Sequence, residues 1–211
     1  MFPLRGALLI GLFLPGLAFA APKSHVTTLG RWRRVTVSAE DAQKRPIKVR
    51  ALRIDGRLKE YTAGSIHEVT ERLFVVRKIE RLNDSLPDDT GHSSRWVWRL
   101  DGWISVDRTT GHISQLNLPG FDPDLSQASW YRDYVAYCGA SDPGKIYVLV
   151  AQLGRRKPIL KHEYLGSACG LPKWERTPLR VTFAGAGGSS SFALHAHAEL
   201  QSQESDEGGP E

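Results

Sequence analysis

The sequence predicts an all-β protein built from antiparallel meanders with little helix, folded either as a partial, propeller-like array or as a β-sandwich. Three observations support this prediction. Strand-like segments recur at short and fairly regular intervals, separated by turn residues. Asp55-Gly56 lies between two such segments and is the strongest local hairpin signal in the chain. A meander pattern also occurs twice between Arg95 and Gly154.

The two copies of this pattern are offset by 32 to 33 residues. Each begins with a tryptophan that is followed three residues later by an aspartate, Trp98 with Asp101 and Trp130 with Asp133. An apolar strand comes next, then a turn ending in glycine, then a second strand that opens on a basic residue and isoleucine. The pattern predicts two consecutive β-meander units.

The second unit contains the strand-like run 134–137, the turn 141–145 and the strand-like run 146–149. In this it resembles the blades of β-propellers from secreted bacterial proteins, and the resemblance covers the segment 95–154. It implies that each unit is an antiparallel meander. Because a blade takes about 40 residues, the mature chain that would remain after removal of a signal peptide at 1–20, residues 21–211, has room for four blades at most. A partial propeller or a β-sandwich would use the same strands.

Before the repeated units, β-branched residues and the alternation of apolar with basic residues predict strands over 31–37 and 47–51. The Asp55-Gly56 turn then joins the two strands of a hairpin over 52–61. The arginines and lysines of this hairpin are expected to project from a defined surface.

The segment 62–79 supports two interpretations. Residues 65–68 fit a helix capping box, and apolar residues recur at helical spacing at Ile66, Val69, Leu73 and Val76. The run 73–79, however, has the β-branched and aromatic character of a strand. We favour a turn over 62–70 followed by a strand.

In the rest of the chain, Pro, Gly and Asp residues predict loops over 83–94 and 117–126. A glycine- and serine-rich hairpin loop is predicted over 184–191. Further strands are predicted over 159–165, 179–183 and 192–199.

Residues 1–20 have the pattern of a secretory signal peptide. Arg5 precedes an apolar run at 7–14, and Ala18 and Ala20 supply the small residues for cleavage after Ala20. The apolar run is too short to cross a membrane as a helix, so no transmembrane helix is expected in the mature chain. The sequence predicts a secreted or periplasmic protein with a flexible N-terminus at 21–28, one all-β domain at 29–200 and a disordered acidic tail at 201–211.

The chain has 28 basic and 23 acidic residues, a net charge of +5. The basic residues are concentrated, since Lys23 to Lys59 contains eleven Lys or Arg and three acids. Two surfaces are candidates for binding an anionic envelope polymer. They are the hairpin residues Lys48, Arg50, Arg53, Arg57 and Lys59, and the turn Arg155, Arg156 and Lys157. The alternative is that these charges form solvated strand faces. A nucleic-acid partner is not expected for an exported protein.

The two cysteines, Cys138 and Cys169, allow a single internal pairing. A disulfide is the expected state in an oxidising compartment. A reactive thiol is the alternative, but Cys138 lies at the end of a run typical of a buried strand, and no histidine signature accompanies it.

The pattern His195-Ala-His197-Ala-Glu199 is the only metal-like constellation in the sequence. On a strand, residues two apart share a face, so the two imidazoles and the carboxylate would project together as competent zinc or copper ligands. The alternative is a set of surface histidines without a metal, and we expect no cofactor.

The sequence contains no nucleophile elbow, P-loop, dinucleotide fingerprint or zinc-protease motif, and it identifies no catalytic residue. We therefore expect a non-enzymatic β-domain with a binding or structural role in the bacterial cell envelope. Two alternatives are a hydrolase with dispersed catalytic residues and a subunit of an envelope assembly, whose sheet edge would pair with a partner protein.

Overall fold

The computed structural model describes residues 24–37, 45–85, 96–141, 145–164, 169–185 and 188–194. Within these ranges the chain forms strands and turns and no helix, which confirms the all-β prediction. No helix there is long and apolar enough to cross a membrane. The strands are β1 (Thr27–Leu29), β2 (Arg33–Val37), β3 (Arg45–Ile54), β4 (Arg57–Glu68), β5 (Leu73–Asn83), β6 (Trp96–Asp107), β7 (Ile113–Leu116), β8 (Ala128–Tyr131), β9 (Tyr134–Ser141), β10 (Lys145–Gln152), β11 (Leu160–Tyr164), β12 (Lys173–Arg176), β13 (Leu179–Gly185) and β14 (Gly188–Ala193).

The first sheet contains β1 to β7, and five of its strands pair in a closed circuit. β3 pairs with β2 on one edge and with β4 on the other, and β4, β5 and β6 follow as antiparallel neighbours. β6 returns to β2 through a parallel pairing of Val37 with Trp98. β1 extends β3, and β7 extends β6, outside this circuit.

The first sheet buries opposite faces at its two ends. Val49 and Leu52 on β3 are both almost fully buried, yet their odd spacing directs them to opposite faces. Val49 packs with Val37 and Ile79 in one core, whereas Leu52 packs with Phe74 and Ile104 in the other. Register shifts in the β4–β5 and β5–β6 pairings make this change possible, because an extra residue in one strand reverses the inward and outward alternation.

The second sheet has the order β11-β10-β9-β8 and is buried on both faces. On β9, Val135 and Tyr137 pack against Phe121 of the preceding connection, while Ala136 and Cys138 pack on the opposite side. Because both faces of the sheet are covered, its central strands β9 and β10 are almost continuously apolar. One face of this central sheet is thus covered mainly by the connection 117–127, and the other by the core that contains Val181, Phe183 and Phe192.

The third sheet, β12-β13-β14, covers the far face of the central sheet. Val181, Phe183 and Phe192 contribute buried side chains to the shared core. The indole nitrogen of Trp174 on β12 donates a hydrogen bond to the carbonyl of Ser129 on β8, at 3.1 Å, and so joins the third sheet to the second.

Cys138 and Cys169, the pair that the sequence predicts to be bridged, form a disulfide with their Cα atoms 6.2 Å apart. It joins β9 to the segment that leads into the third sheet.

Aromatic rings join the first sheet to the second. The rings of Trp103 on β6 and Trp130 on β8 meet edge to face with centroids 5.3 Å apart, and His67 stacks on Trp130 at 5.8 Å. The Arg77 guanidinium lies over the Phe121 ring and donates a hydrogen bond to the Pro123 carbonyl. Burial lowers the pKa of Arg77 to about 10. These contacts hold the connection 117–127 between the two layers.

The hairpin at Asp55-Gly56 forms as predicted, with both residues at positive φ. The turn predicted over 62–70 is wrong in extent, because β4 continues to Glu68 and the chain turns only at 69–72. Gly64 adopts a φ of 70°, which lets the strand bulge and continue instead of ending.

Three other segments differ from their predictions. The N-terminus predicted to be flexible over 21–28 includes Thr27 and Thr28, which pair with β3. The loop predicted over 184–191 is shorter, since serines 189–191 pair with β13. The strand predicted over 192–199 ends at Ala193 as part of β14, and residues 195–199 lie outside the described ranges.

The repeated units are less alike in structure than in sequence. Trp130 and Asp133 lie on β8 and in the turn before β9. Trp98 and Asp101 instead lie within the single strand β6, where the register with β5 shifts between Ile79 and Arg77. A bulge in the first unit thus occupies the place of a turn in the second. Only the following hairpins, β6–β7 and β9–β10, correspond closely.

Gly139 is where the central sheet meets the connection 117–127 most closely. A Cβ atom at this position would lie 2.6 Å from the Gly120 carbonyl oxygen and 3.0 Å from a Leu149 methyl group. We expect Gly139→Ala to lower the free energy of unfolding by about 1–3 kcal/mol, because backbone atoms must move to relieve the overlap. Chemical denaturation would measure the change. Gly30→Ala is the control, since its Cβ would meet Ala51 at an ordinary 3.5 Å; equal effects of the two substitutions would contradict the prediction.

Candidate binding cleft

The structure does not gather the five basic hairpin residues into one patch. Lys48 and Arg50, two apart on β3, share a face, whereas the odd spacing from Arg50 directs Arg53 to the other face. Arg57 and Lys59 lie beyond the turn on β4 and line a shallow depression of about 750 Å³. The five residues therefore do not project from one face of the sheet, and their binding of an anion stays a prediction.

Arg50 also differs from its predicted exposed role. Its guanidinium lies 4.2 Å from the centroid of the Trp32 ring, and burial lowers its pKa. This side chain covers an aromatic ring by a cation–π contact, so it is partly used in packing.

The second predicted basic surface is better placed for binding. Arg155, Arg156 and Lys157 form an exposed turn after β10. Gly154 starts this turn at a φ of 80°, and the Arg155 amide closes it on the Gln152 carbonyl. Within the described ranges none of the three cations forms an ion pair.

Arg155 and Arg156 border a cleft of about 400 Å³ between the first and second sheets. One wall is the end of β7 and the chain that follows it, and the other is formed by the paired strands β9 and β10 and by the basic turn that leads from β10 to β11. The lining is mainly apolar: Leu116, Leu118, Pro119, Val135, Ala151, Leu153 and Pro158. Gln115, Asn117 and Gln152 add amide groups. The cleft thus combines an apolar floor with a cationic rim.

Hydrogen bonds fix the walls of this cleft. Val135 and Ala151 are directly paired neighbours on β9 and β10, so the central sheet provides a continuous floor. The Gln152 side-chain amide donates to the Asp133 carboxylate at 2.7 Å. The Tyr137 hydroxyl donates to the Pro119 carbonyl at 2.9 Å, and burial raises the pKa of this phenol. Tyr137 therefore stays protonated and anchors the opposite wall at neutral pH.

Among the described residues, the carboxyl groups with a shifted pKa are Glu68, Asp101 and Asp107, and none of them lines the cleft. The Arg72 guanidinium and the Thr110 and Thr109 amides hold the pKa of Asp107 well below its usual range. A hydrogen bond from Arg108 lowers the pKa of Glu68. These groups are charged partners in ion pairs at neutral pH, and the hydrolase alternative stays a prediction.

No group of three His, Cys, Asp or Glu side chains in the described part of the chain is arranged to hold a metal ion. The predicted ligands His195, His197 and Glu199 lie outside the described residues, so their metal site stays a prediction.

Sequence reasoning found the basic turn of the cleft but missed its walls. Leu118 and Pro119 belong to a segment interpreted only as a connection, and Leu116 ends a predicted strand; no local signal marks any of them as part of a site. Val135 and Ala151 look like ordinary core residues of a central strand. No family model, curated protein or solved structure matches this chain.

Proposed function

We propose that this chain is a secreted, non-enzymatic binding domain of the bacterial cell envelope, and that it binds anionic ligands in the cleft bordered by Arg155 and Arg156. One observation carries the proposal: cations without an ion-pair partner among the described residues border an apolar, concave surface. A ligand that supplies both negative charge and apolar groups would satisfy the two halves of this surface together. The signal-peptide pattern and the disulfide support an exported location.

The β4 depression is the second candidate, since it contains Arg57 and Lys59. It also contains His25 and Asp55, which pair at 2.6 Å. A carboxylate beside the basic residues repels an incoming anion. This comparison favours the cleft as the stronger anion site.

A matched pair of charge reversals tests the proposal. We expect Arg155→Glu/Arg156→Glu to weaken the binding of short polyglutamate peptides and of anionic envelope polymers about tenfold or more, because attraction at the rim becomes repulsion. Arg57→Glu/Lys59→Glu makes the same change in net charge and should have an effect of about twofold or less. Fluorescence anisotropy would measure binding at low and moderate salt.

Two outcomes contradict the proposal. Equal losses in both double variants would show that only the net charge of the protein matters. An absence of salt-sensitive binding to every anion in the panel would remove the cleft as an anion site. Circular dichroism of each variant would verify that the all-β fold is intact.

A further inference from the structure

The edge strand β7 borders the proposed cleft. It pairs with β6 through Leu116 opposite Trp103, Gln115 opposite Ile104, and two further residue pairs. No other described strand pairs with β7. An unpaired strand edge offers backbone donors and acceptors to another chain.

The hydrogen-bond alternation shows which residues of β7 face outward. The Asp107 amide donates to the His112 carbonyl at 2.9 Å, which places His112 in the series that bonds to β6. In an antiparallel ladder this series continues at every second residue, so it includes Ser114 and Leu116. The backbone groups of Ile113 and Gln115 are consequently directed away from β6, toward the open edge.

This edge leads directly into the cleft. Gln115 and Leu116 belong to β7 and also line the cleft, where Arg155 and Arg156 border the same space. A chain added along β7 would pass over the partly exposed apolar side chains of Leu116, Leu118 and Leu153 and then reach the cationic turn. Backbone pairing, apolar contact and charge would all act on one extended ligand.

We propose that the cleft binds an extended segment of a partner protein, which adds as a strand to β7 and places apolar side chains on the cleft floor and carboxylates at Arg155 and Arg156. The inference rests on the proposed function, because it uses the same cleft, and it narrows the ligand class to an acidic, apolar peptide. A phosphate polymer would use the cations alone, and an anionic lipid would use the cations and the floor. Only a peptide also uses the open backbone edge.

The test compares two substitutions at Gln115, whose side chain is exposed. Gln115→Pro removes an outward N–H without removing a β6 hydrogen bond, and proline is tolerated on a strand edge. Gln115→Ala changes the same side chain but keeps the N–H. With the fluorescent peptide Val-Glu-Val-Glu-Leu-Asp as the probe, we expect Gln115→Pro to bind about tenfold more weakly than Gln115→Ala, because both variants lose the side-chain amide and only the proline variant loses the N–H.

The peptide itself provides a second arm. Two peptides would be compared, one methylated at the odd-numbered backbone nitrogens and one at the even-numbered. Methylation should abolish the binding of one peptide and leave that of the other unaffected, since only every second amide faces β7. Peptides with a free and with an amidated C-terminus would show whether the recognised carboxylate is terminal or on a side chain. Binding of either peptide supports the proposal. Thermal unfolding would verify that both Gln115 variants are folded.

The outcomes separate this inference from the proposed function. If Arg155→Glu/Arg156→Glu weakens anion binding while Gln115→Pro behaves like Gln115→Ala, the anion site stands and strand addition is overturned. If phosphate polymers or anionic vesicles bind at the cleft and the peptide does not, the anion site again stands and strand addition is again overturned. If the unmodified protein binds no anion, both the proposed function and strand addition are overturned.

Discussion

Replacing Cys138 and Cys169 together with alanine is expected to lower the free energy of unfolding by about 3–4 kcal/mol. The two residues are 31 positions apart, and opening a loop of this size returns a large amount of conformational entropy to the unfolded chain. Alanine is chosen because Cys138 is buried in the core between the second and third sheets, where a serine hydroxyl would add a separate cost. Urea unfolding of the oxidised protein and of the double variant would measure the difference.

Reduction provides the control for this experiment. Dithiothreitol should lower the urea midpoint of the unmodified protein toward that of the double variant, and it should leave the variant unchanged. A midpoint of the unmodified protein that does not respond to the reductant would contradict a stabilising role of the bridge.

Phe183→Ala is expected to lower the free energy of unfolding by about 3–5 kcal/mol. Phe183 is fully buried on β13 and meets the ring of Phe192 at 6.0 Å, within the core that the third sheet shares with the central sheet. Truncation leaves a cavity between two sheets, and the surrounding strands can close it only in part. Denaturation monitored by tryptophan fluorescence would measure the loss.

The neighbouring Thr182 supplies the matched control. It lies on the opposite face of β13, and its hydroxyl contacts that of Ser191 at 3.1 Å. Thr182→Ala should cost about 1 kcal/mol or less. Similar losses at positions 182 and 183 would contradict the assignment of the buried face of this strand.

The two stability tests also bear on the binding proposals. Phe183 and the disulfide lie on the far side of the central sheet from Val135, which forms part of the cleft floor. Variants that remain folded should therefore keep the affinity of the cleft for the acidic peptide. A loss of binding in a folded Phe183→Ala variant would show that the third sheet supports the cleft.

Local sequence signals predicted those features whose physical cause is local. Asp55-Gly56 forms its hairpin because the two residues at positive φ fit the twist of the flanking strands. The hairpins β6–β7 and β9–β10 follow from alternating or continuous apolar residues on either side of glycine-containing turns. The pairing of Cys138 with Cys169 was predictable because the chain has two cysteines, which allow a single internal bridge.

The cleft was only half predictable. The basic turn at Arg155 is a run of consecutive residues and is visible in the sequence. The apolar lining of the cleft includes Leu116 and Val135, which lie on different sheets and border one space only in the folded chain. Single-sequence patterns indicate which residues are buried, but not which buried face meets which.

The sequence alone determined the all-β class, the Asp55-Gly56 hairpin and the cysteine pairing. Strand periodicity and turn chemistry depend on short segments of the chain, and two cysteines allow a single pairing. The tertiary structure decided where β4 bulges at Gly64, which faces of the first sheet are buried at each end, and how the basic residues are separated. It also decided that β7 has an open edge beside an apolar cleft. These features depend on strand register and on how the three sheets pack together. Register and packing are set by contacts between distant segments rather than by any one segment.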